Sequence, residues 1–281
     1  MKPDDKKFWE QLTDNNDRWR KKRKGKEDFQ TINAVIDRNT TKILSGLQSK
    51  GIIDSISGTI ASGKESGVFL AELGSKGKLK CDDLSIESPI VIKIFRTSTL
   101  NFRTIEKYIS GDIRFRKYSK KTRSLVKLWV EKEYRNLNRS MLAGANVPKP
   151  ILVKNNVLLM ELIGQNGIPS PLLKVSPNEA TQPMMKAILD QIKIVYQKAG
   201  LVHADLSPYN ILIKESTPYL IDMSQSVTTS HPKAEEFLER DLNNILYYFS
   251  KRGVKTPEVE SVLDSIVDNE TKTDEDMISR Q

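Results

Sequence analysis

One short hydrophilic stretch, His203-Ala204-Asp205-Leu206-Ser207-Pro208-Tyr209-Asn210, leads directly into two apolar segments. The segments are residues 211–213 (Ile-Leu-Ile) and 219–221 (Tyr-Leu-Ile), and the turn between them predicts an antiparallel β-hairpin. Neighbouring strands lie about 5 Å apart, so Asn210 before the first strand and Asp222 after the second should lie side by side. The loop that precedes the hairpin should place Asp205 close to both.

These three side chains are of the types that phosphoryl transfer requires. A carboxylate beside an amide oxygen suits Mg²⁺, which takes few protein ligands and keeps water and phosphate oxygens around it. A second carboxylate that does not bind the metal can accept the proton of an attacking hydroxyl. Asp and Asn are also common in turns, but the hairpin ending in Asp222 favours Asn210 and Asp222 as metal ligands and Asp205 as proton acceptor.

Lys93 interrupts the apolar, β-branched segment 90–95, which predicts a buried strand. A buried lysine is costly unless it is paired or binds a ligand, so we expect it to contact nucleotide phosphates. An edge lysine that extends to water is the alternative. The carboxylate that orients it would come from the long helix, as Glu131 or Glu133. Glu133 is favoured because Leu137, one turn later, would anchor that face of the helix.

A glycine-rich turn at residues 58–68 separates the first two predicted strands. Its three glycines would let the backbone approach a phosphate and direct amide groups towards it. Hairpins also need glycine for their turns, so the pattern is weak by itself. It differs from the P-loop, because Gly63-Lys64-Glu65 lacks the final Ser or Thr and a strand follows instead of a helix.

Composition limits the classes of protein to which the chain can belong. The 281 residues include 45 basic and 36 acidic side chains, a formal net charge of +9. The single cysteine, Cys81, excludes an internal disulfide framework, and two histidines argue against a structural zinc site. Apolar runs are shorter than the roughly 18–20 residues of a membrane span, and the charged start is unlike a secretory leader. We therefore expect a cytoplasmic protein without a membrane partner, and the basic surplus favours acidic partners such as nucleic acid.

Changes in residue pattern divide the chain into three segments. Residues 1–50 hold a basic arm and a helical extension, and residues 51–160 form a strand-rich lobe with a long helix. Residues 161–281 form a helical lobe that contains residues 203–210, the expected catalytic loop. We expect a polar loop at 74–88 and a mobile basic loop at 96–121. Apolar periodicity predicts helices at 31–47, 125–141, 188–199, 238–249 and 257–267, and strands at 52–60, 68–73, 90–95, 151–153 and 157–163.

The motifs, taken in order, resemble those of the RIO family of atypical protein kinases, and most closely those of its first branch. The resemblance covers roughly residues 30–250. The strings that carry it are Gly63-Lys64-Glu65-Ser66, Val91-Ile92-Lys93-Ile94-Phe95-Arg96-Thr97-Ser98, Ser110-Gly111-Asp112-Ile113-Arg114-Phe115-Arg116, Glu131-Lys132-Glu133-Tyr134-Arg135-Asn136-Leu137, His203-Ala204-Asp205-Leu206-Ser207, and Ile221-Asp222-Met223-Ser224-Gln225-Ser226-Val227.

The resemblance implies a trimmed, two-lobe α+β protein-kinase fold that binds ATP and Mg²⁺ and lacks the usual activation segment and peptide-docking subdomains. By position, Asp205 would be the proton acceptor, Asn210 and Asp222 the metal ligands, and Lys93 the phosphate ligand. In this family the metal aspartate also forms an aspartyl-phosphate, which would make Asp222 catalytic and suit an ATPase cycle. The residues expected to cover the phosphates are Ser62, Gly63, Lys64, Glu65, Ser66, Gly67 and Val68, and those expected around the adenine are Met160, Glu161 and Ile163.

Three departures from ordinary protein kinases accompany this pattern. Ala204 replaces the arginine that usually precedes the catalytic aspartate, Met223-Ser224 replaces Phe-Gly, and no Ala-Pro-Glu segment follows. These departures bring activation-loop control and peptide substrates into question. The short end of the chain after the helical lobe makes an archaeal-type member the expectation.

The family's usual setting implies the precursor of the small ribosomal subunit and its rRNA as partners, with autophosphorylation as a possible activity. Two other functions stay open. One is a small-molecule phosphotransferase of the same broad fold, although the insertions here are basic rather than acidic. The other is a non-catalytic, nucleotide-sensing RNA-binding factor that uses the basic arm at 18–26 and the loop at 103–127, which could equally be solvated surfaces.

Overall fold

The structure, a computed structural model, describes residues 36–97, 102–115 and 121–267. The predicted basic arm at 18–26 and the start of the predicted helix at 31–47 lie outside these residues. Internal contacts divide the chain into two units, each assembled from separate stretches. The first holds residues 36–97, 102, 121–134 and 149–169, and the second holds 103–115, 135–148 and 170–267. The three-segment division drawn from the sequence stays a prediction.

The described residues form seven helices and eleven strands, besides three short 3₁₀ turns. The helices are α1 (Arg38–Ser49), α2 (Ser75–Asp82), α3 (Phe102–Ile109), α4 (Thr122–Leu142), α5 (Gln182–Gln197), α6 (Ala234–Ser250) and α7 (259–267). The strands are β1 (Ile53–Ser62), β2 (Ser66–Leu73), β3 (Ile90–Phe95), β4 (Pro150–Lys154), β5 (Val157–Met160), β6 (Gly164–Gln165), β7 (Ile168–Pro169), β8 (Leu201–Val202), β9 (Ile211–Lys214), β10 (Thr217–Leu220) and β11 (Val227–Thr228).

The first unit is built on a five-stranded antiparallel sheet in the order β1-β2-β3-β5-β4. All six residues of the central strand β3 are buried, as a sequence that is apolar at every position but Lys93 predicts for a strand covered on both faces. Lys93 lies in this strand, opposite Val68 of β2 and Leu158 of β5. The sheet therefore fixes the position of a lysine inside the first unit.

Helix α2 corrects the polar loop predicted at 74–88. Only Gly77 and Cys81 of this lysine-rich helix are buried, so it carries no apolar stripe that a sequence pattern could detect. A Cβ at Gly77 would lie 2.0 Å from the carbonyl oxygen of Ile52, so only glycine allows this close approach to the chain before β1. The close approach at Gly77 and the burial of Cys81 thus support a helix that propensity does not predict.

Helix α3 corrects part of the basic loop predicted at 96–121. Its apolar residues Ile105, Tyr108 and Ile109 are buried at helical spacing, and the cations around them had obscured that period. Residues 98–101 and 116–120 of the predicted loop lie outside the described part of the chain.

The second unit packs α5 and α6 around two short strand pairs. The predicted hairpin is confirmed, with β9 and β10 paired from Ile211 opposite Leu220 to Lys214 opposite Thr217. Strand β8, which leads into the catalytic loop, pairs with β11, which follows Asp222. The pairing of β8 with β11 therefore fixes the loop before the hairpin and the loop after it. Among the described residues, no helix is long and apolar enough to span a membrane.

Candidate active site

The hairpin places Asn210 and Asp222 at the same open end. The backbone N–H of Ile221 donates to the carbonyl of Asn210 at 3.0 Å, which extends the β9–β10 ladder by one pair. The next residue along the chain is Asp222, so Asn210 and Asp222 lie at the same end of the hairpin. That their side chains meet at one metal ion stays a prediction. The Ser224 hydroxyl donates to Asp222 Oδ1 at 2.9 Å.

Asp205 lies on the loop before the hairpin, with its side chain partly exposed. Two contacts fix it: Asn210 Nδ2 donates to its backbone carbonyl at 2.8 Å, and Gln225 Nε2 donates to its carboxylate Oδ2 at 2.9 Å. Gln225 had no predicted role, and the only signal was its place three residues after Asp222. Two side-chain amides, that of Asn210 just before β9 and that of Gln225 after β10, thus hold the residue that is the predicted proton acceptor.

The donor set suits a hard divalent cation. Because the Asn210 NH₂ group is used by the Asp205 carbonyl, the amide oxygen is the atom that faces a ligand. This oxygen and the Asp222 carboxylate are ligands that Mg²⁺ accepts, with its remaining positions filled by water and phosphate. Asp222 also has a left-handed backbone, with φ of +61°. For a non-glycine residue this conformation costs about 1–3 kcal/mol, and such residues concentrate at functional sites.

The carboxylate of Asp241, on α6, binds the backbone of the catalytic loop. Its Oδ2 accepts the backbone N–H of Ala204 at 2.7 Å, and its Oδ1 accepts that of Leu206 at 2.9 Å. The neighbouring Arg240 donates to the carbonyl of Ala204, whose φ is +66°. Both peptide groups of Ala204 are therefore bound by one helix, which explains how a left-handed alanine is maintained. No local sequence pattern distinguishes Asp241 from other polar residues of the helix.

The pKa of Asp241 makes the anchoring of this loop sensitive to pH. Burial of the carboxyl raises its pKa from 3.8 to about 7, and the two backbone donors and Arg240 limit the rise. The folded state therefore binds more protons than the unfolded state between about pH 4 and pH 7. Through Asp241, the free energy of unfolding should fall as the pH rises across this window.

Asp241→Asn tests this directly. An amide can accept only one of the two backbone N–H groups, so the variant should be less stable by about 1–3 kcal/mol. It should also lack the part of the pH dependence that Asp241 contributes. Urea unfolding of both proteins from pH 4.5 to 8, at roughly half-unit steps, measures both effects. A variant whose stability runs parallel to that of the wild type across the window would contradict the pKa assignment.

Asn136 holds the loop after Asp222 in place. Its Nδ2 donates to the carbonyls of Met223 at 2.8 Å and Ser226 at 3.0 Å, and its Oδ1 accepts from Arg114 Nη1 at 2.8 Å. Arg114 is paired in turn with the buried Asp112 at 2.7 Å. The loop after Asp222 is therefore fixed by a largely buried polar network that joins residues 112–114, Asn136 and residues 223–226.

In the first unit, the predicted lysine–glutamate pair is confirmed with the favoured glutamate. Lys93 Nζ lies 2.8 Å from Glu133 Oε1, and the two residues are 5% and 1% exposed. The other candidate, Glu131, lies 3.7 Å from Lys127 on the partly exposed side of α4. Because both partners are buried, the Lys93 ammonium is fixed in position. Its contact with a nucleotide phosphate stays a prediction.

The remaining predicted nucleotide residues also belong to the first unit. The glycine-rich turn joins β1 to β2, and it is closed by the Gly63 N–H donating to the Ser66 carbonyl at 2.9 Å. Its tip is exposed, while Gly67 is buried in β2. Met160 ends β5 opposite Val91 of β3. Two further residues follow it: Glu161, whose Oε2 accepts the Lys149 N–H at 3.1 Å, and Ile163, which is buried. Their contacts with a nucleotide stay predictions.

Comparison with known proteins identifies the family. A family model described as the RIO domain matches residues 73–262. The chain is 37% identical over 261 residues to a probable serine/threonine-protein kinase RIO1 homolog of Encephalitozoon cuniculi, covering 89% of this chain and 67% of the relative. It is 40% identical over 234 residues to the RIO-type serine/threonine-protein kinase Rio1 of Methanocaldococcus jannaschii, covering 83% and 76%. With RIO1 of Caenorhabditis elegans the identity is 38%, over 90% of this chain but only 48% of the relative.

Solved structures agree on the fold. The Rio2 kinase of Chaetomium thermophilum, in a complex described as ADP/Mg²⁺-phosphoaspartate, matches with a TM-score of 0.55 and 24% identity over 82% of this chain and 70% of that one. A second structure of the same kinase gives a TM-score of 0.56 and 22% identity over 80% and 70%. These likenesses show a protein-kinase-like fold, as predicted. With the family match over most of its described length, the chain belongs to the RIO family of serine/threonine-protein kinases.

Proposed function

We propose that the protein transfers the γ-phosphate of ATP in a Mg²⁺-dependent reaction, as a kinase with ATPase activity. The observation that supports this most strongly is the hairpin end, where Asn210 and Asp222 emerge together and the Asp205 carboxylate is oriented by Gln225. This set supplies hard-oxygen metal ligands beside a separate proton acceptor. The relatives that match most of the chain are named as protein kinases, which disfavours a small-molecule phosphotransferase.

When the attacking group is a hydroxyl or water, Lys93, Asp205, Asn210 and Asp222 have separate tasks in the proposed reaction. Lys93, held by Glu133, neutralises charge on the ATP phosphates, and the turn at 62–68 covers them. Magnesium, when held by Asn210 and Asp222, would neutralise the charge of the transferring group. Asp205 accepts the proton of the attacking oxygen while the new O–P bond forms, the bond between the β–γ bridging oxygen and the γ-phosphorus breaks, and ADP leaves.

Asp222 itself is proposed as a phosphate acceptor. Its carboxylate oxygen would attack the γ-phosphorus to give an acyl phosphate and ADP, and water would then release inorganic phosphate and restore the carboxylate. The phosphoaspartate named for the Chaetomium thermophilum Rio2 kinase supports this, together with the left-handed backbone of Asp222 at the hairpin end. Serine and threonine esters on the same chain would instead report autophosphorylation.

Chemical stability separates the two kinds of phosphorylation. After incubation with γ-labelled ATP, part of the label on the wild type should be lost in hydroxylamine, which cleaves acyl phosphates and leaves serine and threonine esters intact. Asp222→Asn should carry no hydroxylamine-sensitive label. Asp190→Asn, on the exposed face of α5, is the matched control and should keep it. Hydroxylamine-sensitive label that persists in Asp222→Asn would remove Asp222 as the acceptor.

We further propose that the protein acts in the cytoplasm on the precursor of the small ribosomal subunit and contacts its rRNA. The family resemblance and the net charge of +9 support this proposal. Purified small subunits should raise the rate of ATP hydrolysis by the wild type and not by Asp222→Asn. Equal rates with and without subunits would contradict the proposed partner but leave the chemistry intact.

A further inference from the structure

Two exposed tyrosines carry lysines over their rings, one in the loop at 203–210 and the other on α6. Tyr209 is 59% exposed, and Lys174 Nζ lies 5.1 Å from the centre of its ring. Tyr247 is 64% exposed, and Lys251 Nζ lies 5.2 Å from the centre of its ring. Val175 is 68% exposed next to Lys174. No role in binding or transferring phosphate has been given to any of these five residues, which we call the tyrosine–lysine surface.

Three hydrogen bonds join the segments that carry this surface. The Lys174 N–H donates to the carbonyl of Pro208 at 3.0 Å, beside Tyr209. The Tyr248 hydroxyl donates to the carbonyl of Leu173 at 2.6 Å. Asn244 Nδ2 donates to the carbonyl of Leu206 at 3.1 Å. The loop at 172–176, the catalytic loop and the end of α6 therefore form one continuous wall.

Helical spacing directs Tyr247 and Lys251 to the same side of that wall. Residues three or four apart share one face of a helix. Asn244 contacts the catalytic loop, Tyr247 follows it by three residues, and Lys251 follows Tyr247 by four in the turn that ends α6. Tyr247 and Lys251 consequently lie within two turns of Asn244, which binds the carbonyl of Leu206, the residue that follows Asp205.

The charge of this wall has a single sign. Residues 172–176, 206–209 and 243–252, all described, contain Lys174, Lys251 and Arg252 and no aspartate or glutamate. Complementary charge is the usual way in which a surface selects its partner. Exposed tyrosine and valine beside the cations add apolar contact for a partner that also carries an apolar side chain.

We propose that the tyrosine–lysine surface docks an acidic peptide segment, with at least one apolar side chain, that presents a serine or threonine hydroxyl to Asp205. The inference rests on the proposed kinase activity and specifies its substrate class. A protein segment is favoured over nucleic acid because the surface begins at Tyr209, four residues after the proton acceptor, where an occupant must deliver a hydroxyl. It would allow peptide substrates in a chain expected to lack the usual peptide-docking subdomains.

The test compares two labelled peptides with the full chain. One carries a serine flanked by glutamates and a leucine, and in the other lysines replace the glutamates. Fluorescence anisotropy measures binding, and phosphate transfer measures kcat/KM. The wild type should prefer the acidic peptide, and Lys174→Glu with Lys251→Glu should weaken binding of that peptide by about tenfold or more, in the range expected for two reversed surface charges. The loss should appear in KM with kcat unchanged, and the lysine peptide should gain.

Lys186→Glu, an exposed lysine of α5 with the same change of charge, is the matched control and should leave both affinities unchanged. ATP turnover without peptide should be equal in the wild type and all variants. If the wild type showed no ATP turnover, the proposed function would fail, but fluorescence anisotropy would still test the docking of the peptide. Equal affinity of the wild type for both peptides, or an equal loss in the control, would overturn the docking inference. It would also be overturned in favour of nucleic acid if the double variant lost affinity for a single-stranded RNA oligonucleotide but not for the acidic peptide.

Discussion

Asp205→Asn should lower the rate of phosphate transfer by about 10²–10⁴-fold, the usual contribution of a positioned acid–base group. An amide has almost the same shape but cannot accept the proton of the attacking oxygen. Its oxygen can still accept the Gln225 N–H, so the loop should keep its structure. Affinity for ATP should change little, because Asp205 is not among the proposed phosphate or metal ligands.

Rapid mixing with labelled ATP gives the transfer rate in a single turnover, and a fluorescent ATP analogue gives the affinity. Asp190→Asn carries the same chemical change at an exposed position and should behave as the wild type. A transfer rate in Asp205→Asn within a factor of about two of the wild-type rate would exclude Asp205 as the proton acceptor.

Glu133→Ala should destabilise the protein by about 3–5 kcal/mol, because it leaves the buried Lys93 ammonium without its carboxylate. Replacement of both residues by apolar ones, Lys93→Met with Glu133→Leu, should restore most of the stability while phosphate transfer stays lost. This combination separates the ion pair's effect on stability from its proposed role in binding phosphate.

Urea unfolding monitored by the fluorescence of Trp129, which is buried in the same helix, measures these differences. Glu131→Ala, which removes the partly exposed pair with Lys127, should cost no more than about 1 kcal/mol. If Glu133→Ala were no more destabilising than Glu131→Ala, the buried pair would not be the constraint that fixes Lys93.

Local sequence patterns were sufficient to predict the parts of the site that are formed by residues close together in the sequence. The hairpin that places Asn210 and Asp222 at one end follows from two short apolar segments and a turn. Lys93 was identifiable because a cation inside an apolar strand needs a partner, and helical spacing reduced the candidates to two glutamates.

The rest depends on contacts that no local pattern encodes. Asp241 follows three residues after Leu238 in an apolar stripe and resembles any polar residue of a helix. The cost of burying its carboxyl group is offset by hydrogen bonds from backbone N–H groups 37 and 35 residues earlier. Asn136 binds carbonyls 87 and 90 residues later, and Gln225 binds a carboxylate 20 residues earlier. Polar residues that are buried against a distant partner were consequently missed, as was α2, of which only Gly77 and Cys81 are buried.

The time course of phosphate release from γ-labelled ATP, with and without Mg²⁺, is the most direct test of the roles assigned to Asp205 and Asp222. The wild type should release phosphate only when Mg²⁺ is present, Asp205→Asn should do so far more slowly, and Asp222→Asn should not exceed the rate without metal. Release by Asp222→Asn at the wild-type, Mg²⁺-dependent rate would contradict the account.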